Sequence, residues 1–546
     1  MTNPLYTNKH LQLDGTSLSP KAVAKSQAMD KVKTNQYSSE GNLMDQEETL
    51  RLFKQGKEAW NQWAEKQLAE QKELEETGKW KIDASGEAEN EATKTWFENS
   101  YARFQCNNNG SYNIGSSSFE SFIFPGSVSF LDFKFQYATS FQESTFKHKV
   151  KFIHSKFECK ATFENTIFEN EAIFKNATFH DKATFAGAVF KNEALFDNAM
   201  FEKETTFHAT TFHHPAYFQK CNFKEDVRFI DTKFLDYITF EHANFYKLCK
   251  FYQSTFSPEI DANFCNAIFH YNTWFGECEF HGNTIFARLQ SKLNLVFRDT
   301  TFHQSANFDA IRAEHTFSLE KVTFKKDVPN FIQAHFEEAP RLDDITFGKS
   351  VAPGSFWNSI LSPISTETKA RYQALKRLAI EAHDHENEQR FWAGELRSDR
   401  SLRTEDNQWK IRPLFSAFWW GNIAYGAVSN YGRSIIRPLF TWIALTILVA
   451  ILHISTHTPT ENNNCNICRS ALHVAVKTGS LGLIQDPSKR IIFVRDYACL
   501  YGTQNDKRQT PNIPGAILAA EGFQALFSAI LIFLCLLGIR NNFKLK

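Results

Sequence analysis

Between residues 119 and 256, phenylalanine returns at alternating intervals of five and six residues. One series runs Phe119, Phe130, Phe141, Phe152 and onward in steps of eleven to Phe251; a second runs Phe124, Phe135, Phe146, Phe157 and onward, also in elevens, to Phe256. Neither series misses a member, so the stretch is an internal repeat and constrains the fold more tightly than any other feature. Two positions before most of these rings stands a small or β-branched residue, such as Ala161, Thr166, Ala172, Ala177, Ala183 or Ala188. The positions between are mostly Glu, Lys, Asn, Asp and His. Each unit thus has one large and one small inward position. A mean period of 5.5 fits neither a helix nor an extended strand. It fits a chain that turns a corner every five or six residues, so that four sides close a square of about 22 residues and rings stack from coil to coil about 4.8 Å apart.

Phe centred in a five-residue unit, with Ala two places before it, resembles the pentapeptide-repeat family. The resemblance implies a mainly β fold, a right-handed quadrilateral β-helix, here in a Phe-rich variety over residues 119–347. Past Phe256 the beat is disturbed at Ser257-Pro258, which reads as a bulge at a corner. It resumes from Phe264 to Phe286, skips a ring around Ser291, and returns at Phe297, Phe302 and Phe308. Leu319, Phe324, Phe331, Phe336, Leu342 and Phe347 read as the final turns. About ten coils make a rod about 50 Å long. One coil buries too little apolar surface to offset its ordering entropy, so stability is expected to be cooperative along the rod and weakest at its ends.

The flanks differ in composition. Residues 1–43 are polar and read as a disordered tail with no secretory signal. Residues 44–78 are rich in helix formers, with Leu50, Phe53, Trp60 and Trp63 at helical spacing. They read as a cap over the first coil's open edge, and Leu52 to Trp63 resembles the helix preceding the repeats in membrane-linked family members. Residues 79–118 read as an irregular connector. After the rod come a linker (348–365), a helical segment (366–406) that resembles the hairpin of membrane-anchored relatives, and an aromatic juxtamembrane segment (407–434).

Two stretches are long and apolar enough to span a membrane, 435–455 and 515–539. The tail 540–546 is basic, and its approach, Leu-Leu-Gly-Ile-Arg540-Asn-Asn-Phe-Lys-Leu, resembles membrane-anchored family members, as does Tyr431 to Ser434. Glu521 falls at the edge of the second stretch or just inside it. It either marks the boundary or is an intramembrane carboxylate with a role. Flanking charges are nearly even, so orientation rests on the roughly 430 residues that precede the first span. The rod is expected in the cytoplasm, at a bacterial inner membrane, with residues 456–514 on the far side. There Cys465, Cys468 and Cys499 would meet an oxidising space that permits a disulfide. Cys221, Cys249 and Cys278 occupy small inward positions of the repeat and read as core thiols.

No phosphate-binding glycine loop, nucleophile elbow or metal motif is present. His453, His457 and His473 have no zinc-like spacing, and the rod's histidines, His213, His214, His242, His270 and His281 among them, read as solvated surface. The chain is therefore read as a non-enzyme without catalytic, cofactor or metal residues. Three functions compete: a membrane-anchored scaffold binding an unidentified protein, a channel or transporter subunit with Ala471 to Ile484 as a re-entrant segment, and a DNA mimic. Residues 120–349 hold 30 acidic against 25 basic residues, a net charge of −5 spread without runs. That is too weak for DNA mimicry, and no nucleic-acid partner is expected. The scaffold is the leading expectation, with the lipid bilayer as a second partner and homo-oligomerisation possible.

Overall fold

The computed structural model describes residues 44–83, 87–104, 117–257, 261–348, 366–399, 416–457, 466–480, 489–502 and 513–543. The tail 1–43, linker residues 349–365 and residues 544–546 lie outside them. The centre of the molecule is a solenoid of about ten coils with four faces. Each face is a parallel sheet of ten or eleven strands, mostly two residues long, paired only to strands one coil away.

The rings make four columns in the lumen, unbroken from Phe119 to Phe280. Phe119 lies on Phe141 at 4.6 Å, Phe124 on Phe146 at 4.5 Å, Phe130 on Phe152 at 4.9 Å and Phe135 on Phe157 at 4.5 Å, all within 6° of parallel. Neighbouring columns meet edge to face, as Phe163 and Phe174 do at 5.4 Å and 89°. Both arrangements suit the aromatic quadrupole. The small position beside each ring is also used. Ser155, Thr166, Thr210, Thr232, Ser254 and Thr300 are buried, and each hydroxyl donates to the carbonyl of a lumen Phe one coil earlier at 2.6–2.9 Å. Cys221, Cys249 and Cys278 are buried free thiols, and burial pushes Cys278 up to about 12.

A corner recurs every eleven residues. Two places after each ring of the first series the backbone enters the left-handed region, from Ser121 (φ 58°) to Asp344 (φ 55°). The turn is closed by a bond such as Ala177 N to Phe174 O, 3.1 Å. Gly187 is the one glycine at this corner; Ala209, Lys220 and Arg288 hold it despite their side chains. That conformation costs about 1–2 kcal/mol per residue. The ladder offsets it, since the same residues donate to the next coil, as Ala209 N does to Ile230 O at 2.8 Å.

The irregularities predicted from the beat are absorbed locally. Pro258 lies outside the described residues, but Phe240 stacks on Phe264 at 5.1 Å, so a 24-residue coil takes up two extra residues without losing its column. Ser291 stands in line between Phe269 and Ala313.

Helices close both ends. Helices α1 (Gln46–Lys54) and α2 (Lys57–Glu76) cover the first coil. Trp60 Nε1 donates to Ile123 O at 2.8 Å, while Asn61 donates to Ser121 O and accepts from Ile123 N, each at 3.0 Å. These bonds satisfy edge groups that water or another chain would otherwise take. The stretch 79–118, read as irregular, holds helix α3 (Glu91–Ser100), the strand Ala102–Arg103 and the lumen ring Phe104, stacked on Phe130 at 4.8 Å. Tertiary contact fixes α3: Asn90 caps it and Trp96 Nε1 donates to Gln67 O at 2.8 Å.

At the far end α4 (Thr366–Glu381) and α5 (His385–Ser398) form a hairpin. Arg371, Arg377, Asn387 and Arg390 reach back to the carbonyls of Val328, Ala334, Leu342 and Ile345 at 2.6–3.2 Å. Phe391 packs edge-on against Phe347, so the last coil is covered as the first is.

Phe185 is fully buried between Phe163 and Phe207. Phe185→Ala is expected to cost about 3–5 kcal/mol in chemical denaturation. Lys182→Ala, which removes only an exposed pair with Glu204, should cost less than about 1 kcal/mol. His148 is a second test. Beneath Trp96 and Phe97 its burial lowers the imidazole from 6.5 to about 4. Between those values the unfolded chain binds a proton that the folded chain does not, so stability falls as pH drops through that window and levels off below it. The denaturation midpoint of His148→Gln should depend less on pH there.

Candidate functional site in the long apolar helices

Helices α7 (Ile436–Thr456) and α10 (Gly515–Phe543) are long and apolar enough to cross a membrane, with mean hydropathies of 2.0 and 2.3 over their most apolar windows. Their outer faces expose Phe440, Leu448, Ile451, Leu526, Phe533 and Leu536. Contiguous apolar exposure of this kind needs a lipid or protein covering. The inward faces differ. On α10 the buried positions include Ile517, Leu531 and Leu534, but the three between them at helical spacing, Glu521, Gln524 and Ser528, are polar; on α7 the buried positions include Thr446 and His453.

The segment between the spans holds two helices, α8 (Ile467–Gly479) and α9 (Lys489–Tyr501). Helix α8 lies in the groove between α7 and α10. Ser470, Ala471, Val474, Ala475 and Gly479 make its buried face, and small side chains let backbones approach closely. It begins beside Leu452 and Ile454 at one end of α7. It ends where Trp442 Nε1 donates to Gly479 O at 3.0 Å and Gln524 Nε2 donates to Ala475 O at 2.8 Å. A Cβ at Gly479 would stand 2.8 Å from Gln524 Nε2 and 3.3 Å from both Thr446 Oγ1 and Trp442 Nε1, so a side chain there would push on the Gln524 amide and crowd the other two. Trp442 is fourteen residues from the end of α7 at Thr456, about 21 Å along its axis. The stretch read as a loop on the far side therefore dips well down the length of α7. Ala471 to Ile484 is the candidate re-entrant segment read from the sequence, and its described part, residues 471–480, lies against α7 and α10.

Glu521 does more than mark a boundary. It is 8% exposed, accepts from Tyr497 Oη at 2.5 Å, and has His453 Nε2 3.1 Å away, without hydrogen-bond alignment. His453 is fully buried, with Nδ1 bonded to Tyr501 Oη at 2.7 Å. A carboxylate and an imidazole thus tie α7, α9 and α10 together. One and two turns further along α10, Gln524 Oε1 and Ser528 Oγ are buried without a hydrogen-bond partner among the described residues. Such groups are costly in a dry, lipid-like interior, so a polar path or water is the natural complement. Of the other candidates, His473 bonds Asp496, His457 Nδ1 contacts Ile454 O, and Cys468 is a free thiol. Cys499 is disulfide-bonded; Cys465 lies outside the described residues. Trp442, Thr446, Gly479, Gln524 and Ser528 escaped the reading of the sequence; the spacing 521, 524, 528 on one helical face was the available signal.

With this geometry in place, comparison with known proteins adds one match. The family model for pentapeptide repeats (nine copies) matches residues 163–211 and 207–255, within the four-column region. The chain carries a pentapeptide-repeat solenoid. No curated protein and no solved structure matches the chain.

The pentapeptide-repeat rod is joined to the long apolar helices through its C-terminal hairpin. Asn422 on α6 (Ala417–Ser429) donates to Leu396 O at 2.7 Å, Arg397 to Asn430 Oδ1 at 3.0 Å, and Asn541 to Gly432 O at 2.9 Å. An open cleft of about 470 Å³ lies at this junction, lined by Lys376, Ile380, Trp392, Tyr425 and Leu537 among others.

Gly479→Val should displace α8 from the groove. The expected outcome is a loss of thermal stability of the detergent-solubilised chain of several degrees, with quenching of Trp442 emission altered. Leu472→Val, on the exposed side of α8, should change neither.

Proposed function

We propose that this pentapeptide-repeat protein is an integral membrane protein whose C-terminal helices form a channel- or transporter-type module, with the rod as its stiff, non-catalytic cytoplasmic platform. The observation that carries this reading is the placement of α8. A tether needs two spans and a short connection; it does not need a helix seated against both spans with its carboxyl end beside Trp442, Thr446 and Gln524. The carboxyl end of a helix carries partial negative charge, and the stripe Glu521, Gln524, Ser528 lies beside that helix. Together they favour a cation or a polar solute over an anion. A bacterial inner membrane with the rod inside fits the length of chain before the first span.

The scaffold reading keeps one specific observation in its favour. Tyr271 and Trp274 are large, exposed side chains on the rod, with Leu235 exposed as well. In a rod whose lumen is full, a partner can bind only such outer faces. DNA mimicry has no comparable support.

Proteoliposomes holding the full chain decide between the first two. The proposal expects monovalent cation flux above protein-free vesicles, reduced at least tenfold in Gln524→Leu. No flux at any imposed potential, together with reproducible capture of a protein partner by crosslinking in native membranes, would favour the scaffold.

A further inference from the structure

We infer that Glu279, His281 and His303 on one face of the rod form a binding site for a borderline divalent transition-metal cation such as Zn²⁺. The coil length builds the site. Glu279 and His281 flank the inward ring of Phe280, so both side chains point out of the same face. Phe280 pairs in register with Phe302 of the next coil, which places His303 directly beside His281, ring centroids 4.1 Å apart. Glu279 Oε2 is 3.0 Å from His303 Nε2 and 3.3 Å from His281 Nε2. One donor atom from each residue lies within 4.8 Å of the other two.

Two imidazoles and a carboxylate suit zinc, with bonds of about 2.0–2.2 Å that put tetrahedral donors about 3.4 Å apart. The observed separations need only small movements of partly exposed side chains to reach that geometry. Water would fill the remaining position. Elsewhere on the rod, pairs such as His180 with Glu202 and His315 with Glu338 bring one imidazole to one carboxylate. Among the described residues, this is the one group of three that meets the distance requirement. A metal here would link two successive coils from outside, adding to the ladder within.

A neighbour makes the inference sharp. Lys325 Nζ lies 3.5 Å from both ring nitrogens of His303, one coil further on. Its ammonium opposes a second cation at that place, so removing it should help the metal and harm a purely hydrogen-bonded cluster little.

The test uses the full chain in detergent, stripped with chelator and titrated with Zn²⁺ by calorimetry. The expected result is one site that is weakened at least tenfold in His281→Ala, His303→Ala and Glu279→Gln, and tightened several-fold in Lys325→Gln. Zn²⁺ should raise the unfolding midpoint of the parent chain and not of the triple variant. His315→Ala is the control and should bind as the parent does. Circular dichroism of each variant confirms that the rod is folded. Equal zinc binding by the parent and the folded triple variant, or an unchanged affinity in Lys325→Gln, would overturn the inference.

Discussion

The stacking of phenyl rings sets everything else in this molecule. Parallel strands repeat at about 4.8 Å, and parallel rings stacked with an offset have centroids at nearly the same spacing. The column distances of 4.5–5.2 Å through most of the rod show the two demands met together. A chain that satisfies both fills its own lumen. Among the described residues side chains fill the lumen, which points to the outer faces, the ends or the attached helices for function. The left-handed corner every eleven residues is the conformational cost of the arrangement, and the bonds between coils offset it.

Filled columns also make the ends critical. A solenoid stops with a bare ring and unpaired backbone groups, and here each end is closed by helices of different design. At the start, Trp60 and Asn61 present side chains to the first coil. At the finish, three arginines and an asparagine reach the last carbonyls, and the same hairpin then bonds to α6. The second cap is therefore also the joint with the C-terminal helical module. Movement in the module would act on the rod through Leu396, Arg397 and Asn422 rather than through a free tether.

The rod was legible because its information is local and periodic. Phe119 to Phe256 announce coil length and lumen, and even Leu319 falls where counting puts it, in register with Phe297. The signal fades where spacing breaks. Phe104 belongs to a column but stands 26 residues before Phe130, and helix α3 is fixed by Trp96 reaching α2 rather than by its own composition. The site in the long apolar helices was only partly legible. Glu521 stood out as a lone carboxylate, but its neighbours His453 and Tyr497 come from other helices. The groove that takes Gly479 is made by Trp442 and Gln524, 37 and 45 residues away in sequence. The pair His281 and His303 becomes visible only once the coil is known to be 22 residues long.

What distinguishes this chain from a tethered rod is the depth of α8, and that depth can be measured directly. Nitroxide labels at Cys468 and, in separate variants, at Leu472→Cys and Val476→Cys would follow its exposed side in reconstituted bilayers. Contact with dissolved oxygen against a water-soluble nickel chelate reports depth at each position. The predicted result is a steady rise in that ratio from 468 to 476, equivalent to about 12 Å of descent along the helix axis. A flat, interface-level ratio at all three positions would contradict the account.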